Sequence, residues 1–456
     1  MTITPRIVLP LLLVTFAAMG ASLLAQENTA KASAPPFKIP KTDEGLPGTG
    51  PIRRYEWFQN VWMRRRSQWA RQVQEDQKSI VFLGDSITQG WGNEMADSFI
   101  GAKVANRGIS GDTSRGMLIR LREDVLSLNP ACVVMLMGTN DLEEKAEPAT
   151  IASDVKLILA ELKKHDAKMP VVLCLVMPSS ATKSRPADKI KQINALLAAG
   201  VKGDPQVTVV DTWTLFANEM GNAKKSEFPD LLHPNKIGYA KWAAALRPIF
   251  ATLDFLETES DGFALEAGFE SLFNGRDLTG WGFQATSTAQ IEAIKRRRKK
   301  NPNGPAWPIV KEAVTFDGQR SSGDGRYVAK NGRLIVITPS EGRRIQQLWT
   351  TREFPDDFVL KLEFRATPNA DSGIFIRKPQ LQCRDFLLAG PYKELEQYKP
   401  QEWNEIVVTV RGGVAHCTCN GEVLVAEFKV PETGPIGLEG DRGQMEYRRI
   451  RIKPLD

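Results

Sequence analysis

The strongest local signal in the sequence is IVFLGDSIT at residues 80–88, where four apolar residues give way to Gly-Asp-Ser. An apolar run bounded by glycine is typical of a short strand that is buried on both faces. The polar residues after it predict a turn into a helix, with the N–H of Ser86 near the helix N-terminus. A hydroxyl there lies in a field that stabilises an anion, which suits attack on a carbonyl carbon. A serine after a strand is, however, more often only a helix cap.

Apolar runs and amphipathic stretches alternate on both sides of this segment. The runs that predict strands are Ser79–Leu83, Ala102–Ala105, Ala131–Met137, Val171–Met177 and Val207–Val210. The stretches that predict helices are Arg53–Gln77, Ser114–Leu128, Ile151–His165, Lys189–Ala199 and Asn235–Phe250. Continuous apolar strands separated by helices indicate an α/β domain with a parallel sheet covered on both faces. Residues 53–254 form this first predicted domain, and its ligand site is expected at the carboxyl ends of the strands.

The pattern changes to alternation of apolar and polar residues after a predicted linker at 255–268. The run VLKLEFR at 359–365 and the stretches 405–410 and 414–419 have the period of strands with one buried face. Asn420-Gly421, between two such stretches, is a strong hairpin signal. Residues 269–456 are therefore predicted to form an all-β domain, a sandwich of two antiparallel sheets.

Residues 1–25 have the pattern of a secretory signal peptide. Arg6 precedes an apolar run from Ile7 to Leu24, and Ala25 offers a small residue for cleavage. This run of 18 residues is also just long enough to remain as a membrane anchor, and that alternative stays open. The Pro-, Gly- and Lys-rich residues 26–52 are predicted to be a linker. We expect an exported protein that contacts a membrane only if the signal segment is retained.

The net charge of +6 comes from 60 Lys+Arg against 54 Asp+Glu. One run, KRRRKK at residues 295–300, carries six positive charges, so the remainder of the chain is balanced. Nucleic-acid binders usually spread their basic residues over a whole face, and no nucleic-acid partner is expected here. The run is interpreted as a solvated loop, with binding of an anionic polymer as the alternative.

The five cysteines are an odd number, so at least one is unpaired even if export allows disulfides. Cys132 and Cys174 lie in apolar runs and are expected in the core. Cys417 and Cys419 share one face of a predicted strand, and His416 does not complete a set of metal ligands. The sequence therefore predicts no metal site and no cofactor.

A serine nucleophile needs a nearby base, and histidine is the usual one. Of the three histidines, His165 ends a predicted helix and His416 lies on a predicted strand. His233 lies in a loop before a helix, three residues after Asp230. A carboxylate at that spacing can accept a hydrogen bond from the second ring nitrogen and fix the tautomer. Asp-x-x-His is a weak signal alone, because short motifs recur by chance.

Two further segments place hydrogen-bond donors after strands. The segment NRG at 106–108 follows one predicted strand, and GTND at 138–141 follows another. The N–H of Gly108 and the side-chain amide of Asn140 are suitable donors to an oxyanion. The alternative is that Gly108 and Gly138 are only turn residues and that Asn140 and Asp141 cap a helix.

The order GDSIT, NRGISGDTSRGM, GTND and DLLHP within residues 79–250 resembles the four blocks of the SGNH (GDSL-like) hydrolase family. Four ordered blocks are more specific than any one of them. The resemblance implies a flavodoxin-like three-layer α/β/α domain and ester hydrolysis through an acyl-serine intermediate. It assigns the nucleophile to Ser86, the base to His233 and the orienting acid to Asp230. It assigns the oxyanion donors to the Ser86 N–H, the Gly108 N–H and the Asn140 side chain.

Residues 269–456 resemble the 3-keto-disaccharide hydrolase domain family. The stretches that carry the resemblance are FESLFNGRDLTGW at 269–281, DSGIFIR at 371–377, EWN at 402–404, GPIGL at 434–438 and EYRRIRI at 446–452. The resemblance implies a concanavalin-like jelly-roll sandwich that binds or processes carbohydrate. The candidate carbohydrate contacts are Arg365, Arg377, Gln382, Arg384, Asp385 and Trp403. A core position for Trp403 and a solvated sheet face for the arginines are the plainer interpretation.

One departure from that family concerns catalysis in the second domain. Many members carry Glu-x-Gln after the Ser-Gly-x-x-x-Arg segment, whereas this chain has Gln380-Leu381-Gln382. The carboxylate is replaced by an amide, and Asp385 is a candidate substitute. A carbohydrate-binding role is therefore favoured, with residual lyase or hydrolase activity as the alternative.

The leading hypothesis is an exported serine esterase that deacylates carbohydrates, with O-acetyl groups as the expected substrate. The carbohydrate part rests on the second domain alone. The alternatives are a lysophospholipase- or thioesterase-type acyl hydrolase, a bifunctional enzyme whose sandwich cleaves keto-disaccharides, and a non-catalytic glycan-binding protein. The last is disfavoured because a complete set of catalytic residue types is in place.

Overall fold

The structure is a computed structural model that describes residues 37–256, 262–338, 340, 342–386 and 395–455. The predicted signal peptide, residues 26–36 of the predicted linker and residues 257–261 lie outside this part of the chain. The described residues contain an α/β unit followed by an all-β unit, as the sequence predicts.

The α/β unit begins with a long helix and then alternates strands with helices. Its strands are β1 (Ile80–Gly84), β2 (Val104–Gly108), β3 (Cys132–Leu136), β4 (Val171–Cys174) and β5 (Val207–Val210). Its helices are α1 (Glu56–Gln72), α2 (Ser86–Gly90), α3 (Glu94–Ser98), α4 (Ser114–Asp124), α5 (Thr139–Glu143), α6 (Pro148–His165), α7 (Ala187–Gly200), α8 (Thr212–Phe216) and α9 (Lys236–Thr252). Short 3₁₀ helices span Leu126–Leu128 and Ala181–Lys183. The apolar pattern predicts each strand and each long helix, and it misses the five-residue helices α3 and α8.

The five strands form a parallel sheet in the order β2-β1-β3-β4-β5. This is the flavodoxin-like order, in which ligands bind beyond the carboxyl ends of the strands. The register sets Gly84 beside Gly108 on one side and beside Leu136 on the other. The residues that follow β1, β2 and β3 therefore emerge together at one edge of the sheet, which is where the candidate catalytic residues lie.

Both faces of this sheet are covered, and every residue of β1 and β3 is buried. Side chains alternate between the faces, so Phe82 joins one apolar cluster and Val81 joins the other. On the first face, the rings of Trp91 and Trp242 lie 4.7 Å apart between their centroids. This contact packs α9 against the segment that follows α2.

Residues 37–55 contain no helix or strand, as a linker would, but they are packed on the α/β unit. The backbone N–H groups of Thr49 and Gly50 each donate to the carboxylate of Asp154 at 3.0 Å. Arg115 donates to the carbonyl oxygen of Gly50 at 3.0 Å. This segment is therefore part of the folded first unit.

The second unit is a sandwich of two antiparallel sheets, as the sequence predicts. The strands of the larger sheet are β6 (Glu270–Ser271), β9 (Tyr327–Lys330), β10 (Arg333–Val336), β12 (Phe358–Ala366), β15 (Asn404–Arg411), β16 (Val414–Cys419), β17 (Glu422–Lys429) and β19 (Met445–Pro454). The strands of the smaller sheet are β7 (Trp281–Phe283), β8 (Val314–Thr315), β11 (Gln346–Thr350), β13 (Asp371–Ile376), β14 (Gln380–Arg384) and β18 (Ile436–Gly440). Their orders are β17-β16-β15-β12-β19-β10-β9, with β6 beside β19, and β14-β13-β18-β11-β7-β8.

Alternating side chains fill the space between these sheets. Every second residue of β12 is buried, and it meets equally buried residues from the smaller sheet in one apolar cluster. The predicted hairpin is present between β16 and β17. Asn420 and Gly421 have φ angles of +49° and +84°, as a two-residue turn between twisted strands requires.

The basic run at 295–300 lies in helix α10 (Thr288–Lys300), so the interpretation as a loop is wrong. Ser287 and Gln290 form a capping box that satisfies backbone N–H groups at the start of the helix. Cations at the other end interact favourably with the helix dipole, which helps to accommodate the run there. No side chain of α10 is buried, so the expected solvent contact is present.

All five cysteines are buried and unpaired. Cys132 and Cys174 lie in the core of the α/β unit, and Cys417 and Cys419 lie in the core of the sandwich. Within the described ranges, no helix combines the length and the apolar character that crossing a bilayer would need.

The sandwich caps the C-terminal end of α9. The last carbonyl groups of a helix have no partner within the helix. Here Lys330 donates to the carbonyl oxygen of Thr252 at 2.6 Å, and Gln444 donates to that of Pro248 at 3.2 Å. Arg333 donates to the carbonyl oxygen of Ala251 at 3.3 Å. The second unit therefore stabilises the helix that follows the His233 loop.

Candidate active site

Ser86 lies where β1 ends and α2 begins. The preceding residue, Asp85, accepts a hydrogen bond at 2.9 Å from the backbone N–H of Ile87, which holds the turn. Gly84 is required because a Cβ there would lie 2.0 Å from Thr88 Oγ1. The predicted turn from strand to helix is confirmed, and it presents Ser86 at the carboxyl edge of the sheet.

His233 is brought beside Ser86 by the loop that precedes α9. Its Nε2 lies 2.9 Å from Ser86 Oγ, and its Nδ1 lies 2.7 Å from Asp230 Oδ2. Leu231 has a φ of +63°, a left-handed conformation within the tight turn between Asp230 and His233. Asn235 then caps α9. The structure thus brings the predicted serine, histidine and aspartate together, although Ser86 and His233 are 147 positions apart.

The carboxylate of Asp230 is held by more than the imidazole. Its Oδ1 accepts the backbone N–H groups of Leu232 at 3.0 Å and of His233 at 2.7 Å. Burial raises the pKa of Asp230, but the hydrogen bonds from His233 and Leu232 outweigh it and lower the pKa to about 2. The side chains of His233 and Asp230 are 43% and 45% exposed, so this pair lies on an open surface.

Gly108 is the last residue of β2 and Asn140 follows β3, both at the same sheet edge as Ser86. Asn140 Nδ2 donates to the carbonyl oxygen of Asp112 at 2.9 Å, which uses one of its two N–H groups. Donation of the other N–H to an oxyanion stays a prediction. The N–H of Gly108 donates to Asn106 Oδ1 at 3.0 Å, and a Cβ at Gly108 would lie 2.3 Å from the backbone nitrogen of Gln89. Gly108 thus has a packing role. Its donation to an oxyanion stays a prediction, and it requires Asn106 to release the N–H.

Buried carboxylates fix the loops that carry these donors. Asp141 accepts from the backbone N–H of Ser114 at 3.1 Å and from its hydroxyl at 2.6 Å, and Asp112 pairs with Arg120 at 2.7 Å. Burial raises the pKa of Asp141 to about 7 and that of Asp112 to about 6.

No group of three or more His, Cys, Asp or Glu side chains in the part of the chain described could hold a metal ion.

Arg185 is a functional candidate that sequence reasoning misses. Its Nη2 lies 3.2 Å from Asn140 Oδ1, and its Nε donates to the carbonyl oxygen of Thr139 at 3.0 Å. Glu143 accepts from Arg185 at 2.8 Å and also pairs with Arg53. With Arg185 only 2% exposed, the guanidinium fixes the oxygen of the Asn140 amide and so the direction of its nitrogen. A lone arginine in the loop after β4 has no spacing that could have revealed this role.

Two of the candidate carbohydrate contacts are buried inside the sandwich. Arg377 is 4% exposed and donates to the carbonyl oxygen of Asp356 at 2.6 Å. Asp385 is fully buried and accepts from Tyr398 at 3.0 Å and from Gln401 at 3.1 Å. Burial raises the pKa of Asp385 to about 6. The described contacts of both residues hold loops together, and the structure does not bring them to a common surface.

The remaining candidates lie on different sheets. Arg365 on β12 contacts Glu446 at 2.6 Å, and its guanidinium lies 4.8 Å from the ring centroid of Trp403, which is partly exposed rather than in the core. Gln382 and Arg384 lie on β14, at the edge of the smaller sheet, and are hydrogen-bonded to each other. The predicted contacts therefore do not form one site.

The smaller sheet carries a carboxylate that the sequence analysis does not identify. Gln380 Nε2 donates to Glu439 at 2.5 Å, and Gln347 Nε2 donates to its other oxygen at 3.2 Å. Gly373, on the strand between β14 and β18, leaves room for Gln380, because a Cβ there would lie 2.1 Å from that side chain. Glu439 is 8% exposed, and burial raises its pKa. In this chain Gln380 stands where many family members have glutamate. Its side chain donates to a different carboxylate, that of Glu439 on β18.

Two protein families match the two units. Residues 82–241 match the GDSL-like Lipase/Acylhydrolase family, and residues 268–453 match the 3-keto-alpha-glucoside-1,2-lyase-like domain. The protein is a hydrolase of ester bonds. Its chain consists of a GDSL-like lipase/acylhydrolase domain followed by a 3-keto-disaccharide hydrolase-like domain.

The first unit is similar to several named proteins. Platelet-activating factor acetylhydrolase IB subunit alpha1 from Rattus norvegicus is 26% identical over 195 residues, which cover 42% of this chain and 83% of the relative. Esterase TesA from Pseudomonas aeruginosa is 31% identical over 104 residues, covering 20% of this chain and 52% of the esterase. The crystal structure of a GDSL-like lipase from Bacteroides thetaiotaomicron is 28% identical with a TM-score of 0.37, covering 41% of this chain and 97% of the lipase.

Proposed function

We propose that the protein is an exported serine esterase that removes acyl groups, foremost O-acetyl groups, from carbohydrates. The observation that carries the proposal is the chain of contacts from Ser86 Oγ to His233 and from His233 to Asp230, at 2.9 and 2.7 Å. It supplies a nucleophile, a base and an orienting carboxylate in the order that acyl transfer requires.

In the first half-reaction, His233 Nε2 accepts the proton of Ser86 while Oγ attacks the ester carbonyl carbon. The carbonyl oxygen becomes an oxyanion, which the Ser86 N–H and the Asn140 amide stabilise, with Gly108 as a third donor. When this intermediate collapses, the bond between the carbonyl carbon and the sugar oxygen breaks. His233 gives its proton to that oxygen, and the acyl group stays on Ser86.

In the second half-reaction, a water molecule gives its proton to His233 and attacks the acyl-serine. The same donors stabilise the second oxyanion, and its collapse returns the proton to Ser86 Oγ and releases the acid. Asp230 fixes the tautomer of His233 in both halves and stabilises the imidazolium that forms. Its lowered pKa of about 2 keeps it ionised at neutral pH.

Acetyl esters of carbohydrate are the favoured substrate for three reasons. The name of the rat relative describes hydrolysis of an acetyl ester. The exposed His233 and Asp230 leave the site open to a bulky substrate such as a polymer. The sandwich domain matches a family named for activity on a glucoside, and the signal-peptide pattern of residues 1–25 supports an encounter outside the cell.

The test compares acetate release from O-acetylated xylan with fatty-acid release from lysophosphatidylcholine. We expect the wild type to release acetate and the Ser86→Ala variant to release none. Faster release of the fatty acid would favour the lipid or thioester alternative. Acetate release at the wild-type rate by Ser86→Ala would contradict the nucleophile.

A second candidate activity resides in the sandwich, and Glu439 is the observation that favours it. Burial raises its pKa, which suits a general base, and the two amide donors, which lower the pKa in part, hold the carboxylate in place. In a 3-keto-glucoside, the proton on the carbon between the ketone and the anomeric carbon is acidic. Removal of that proton by Glu439 forms a carbon–carbon double bond as the glycosidic oxygen leaves, and that oxygen takes up a proton to become an alcohol.

The two activities are separable by substitution. Glu439→Gln is expected to abolish cleavage of a 3-keto-glucoside and to leave ester hydrolysis unchanged, whereas Ser86→Ala is expected to do the reverse. Product formation is followed by the ultraviolet absorbance of the conjugated ketone and by acetate release. Unchanged keto-glucoside cleavage in Glu439→Gln would rule out this base.

A further inference from the structure

The basic helix α10 forms one wall of a cleft on the sandwich. The helix and the segment 301–309 enclose a volume of about 860 Å³. Arg297, Arg298 and Lys300 line the cleft on its basic side, and Trp307 is among its apolar lining residues. Three of the six cations of this run are therefore part of a concave surface, whereas the sequence favoured solvent contact and left binding of an anionic polymer as the alternative.

The cations of α10 divide into two sets of three. The cleft set is Arg297, Arg298 and Lys300, and the outer set is Lys295, Arg296 and Lys299. Lys295 pairs with Glu292 at 2.8 Å, whereas no carboxylate of the described residues forms an ion pair with a member of the cleft set. Three positive charges thus face the cleft without an acidic partner there.

The cleft continues onto the face of the smaller sheet. Arg297 and Trp307 also line an adjoining cavity of about 280 Å³, which reaches Gln347 and Trp349 on β11. Gln347 in turn donates to Glu439. A groove therefore leads from the basic helix to Gln347, the residue that donates to the buried carboxylate, with Trp307 and Trp349 along it.

We propose that this groove binds an anionic polysaccharide and that the cleft set holds the carboxylates of its uronate residues. Planar guanidinium groups match carboxylates in geometry, and that of Arg297 lies 4.6 Å from the ring centroid of Trp307. The parts of the Trp307 and Trp349 indoles that remain exposed offer apolar surface to sugar rings. The charges are concentrated at one end of the groove instead of being spread over a face, as nucleic-acid binding would favour. The inference rests on the proposed carbohydrate role of the sandwich and names the class of saccharide.

The test measures binding of polygalacturonate by calorimetry to the full chain carrying Ser86→Ala, so that no ester is turned over. The cleft variant combines Arg297→Gln, Arg298→Gln and Lys300→Gln. Its matched control combines the same change at Lys295, Arg296 and Lys299. Both variants remove three charges from one helix, and glutamine has a helix propensity close to those of lysine and arginine. Circular dichroism confirms that α10 is retained in both.

The cleft variant is expected to bind about tenfold more weakly or worse, because charge-assisted hydrogen bonds are lost, while the outer variant stays near the parent. Trp307→Ala is expected to weaken binding as well. Equal losses in the two triple variants would indicate diffuse charge attraction and would overturn the proposal. So would equally tight binding of neutral dextran, or no binding of polygalacturonate at all.

Two further probes distinguish other occupants. Tighter binding of double-stranded DNA or of phosphatidylglycerol vesicles than of polygalacturonate, lost in the cleft variant, would assign the groove to another class and overturn the proposal. Acetate release from acetylated xylan is measured separately on protein with intact Ser86. An absence of polygalacturonate binding and an absence of esterase activity are therefore separate outcomes, and each bears on one proposal only.

Discussion

The contact between Arg185 and Asn140 predicts how two substitutions combine. Asn140 Nδ2 donates one N–H to the carbonyl oxygen of Asp112, so Asn140→Ala removes the second N–H, which is the proposed donor to the oxyanion. Loss of one such donor costs about 100- to 1,000-fold in kcat, or about 2.7–4 kcal/mol of transition-state stabilisation. The effect is expected in kcat, with little change in KM, because the charge on the oxygen develops only in the transition state.

Arg185→Gln is expected to act through Asn140. It removes the 3.2 Å contact to Asn140 Oδ1 and the 3.0 Å contact to the Thr139 carbonyl, so the amide can rotate away. Since the donor itself remains, the loss in kcat should be smaller, about tenfold, or roughly 1.4 kcal/mol. In the Asn140→Ala background, the same substitution should cost almost nothing, because the group that it positions is gone.

The assay is steady-state hydrolysis of a small acetyl ester by the two single variants and the double variant. Arg185→Lys, which keeps the charge, should recover part of the rate. Arg53→Gln is the matched control, because it removes the other arginine partner of Glu143 without touching Asn140. Losses that add fully in the double variant, or an equal fall in kcat for Arg53→Gln, would refute the positioning role.

Three further predictions concern the triad and the fold. Asp230→Asn should lower kcat by up to about 10⁴-fold, since an amide favours the wrong tautomer of His233, and a near-wild-type kcat would count against the triad. Burial raises the pKa of Asp385 from 3.8 to about 6, so its folded form takes up a proton and wild-type stability falls as pH rises through that interval. Between pH 4 and 7, the free energy of unfolding of Asp385→Asn should therefore rise relative to that of the wild type by up to about 3 kcal/mol, as measured by urea unfolding. A difference that does not depend on pH would contradict this. Gly84→Ala should lower the unfolding free energy by about 1–3 kcal/mol in calorimetry, because its Cβ would lie 2.0 Å from Thr88 Oγ1, and an unchanged transition would show that the turn relaxes freely.

The α/β unit is predictable because burial on both faces leaves a continuous apolar signature. Each predicted strand overlaps an observed one, and the helices between them follow from amphipathic spacing. Ser86 and His233 could be paired from sequence because the four blocks occur in order, not because either residue is distinctive alone. Parallel register then sets the ends of β1, β2 and β3 at one edge, as the sheet class requires.

Contacts between residues far apart in the chain could not be predicted in this way. Arg185 reaches Asn140 across 45 positions, and Gln380 reaches Glu439 across 59, with no local pattern in either case. Arg377 and Asp385 look like surface polar residues in sequence, but backbone carbonyls and side-chain donors satisfy them in the interior. The run at 295–300 lies in a helix whose start is favoured by the capping box at Ser287. A count of charges alone does not detect that signal.

Helix α9 of the first domain is held at its C-terminal end by residues of the second domain. The helix begins just after His233 and ends on donors from Lys330, Arg333 and Gln444. Tyr239 of the same helix donates to the carbonyl oxygen of Ile87 at 2.8 Å. Helix α9, which follows His233, is thus fixed at one end by the segment after Ser86 and at the other end by the sandwich.

Ser86 is tested as the nucleophile by the mass of the intact protein, measured after rapid quenching of its reaction with an activated acetyl ester, and by sequencing of the modified peptide. We expect one acetyl group on Ser86, formed in the wild type and almost absent when His233 is replaced by alanine. Acetyl on another residue during turnover, or rapid labelling of Ser86 without the imidazole, would contradict it.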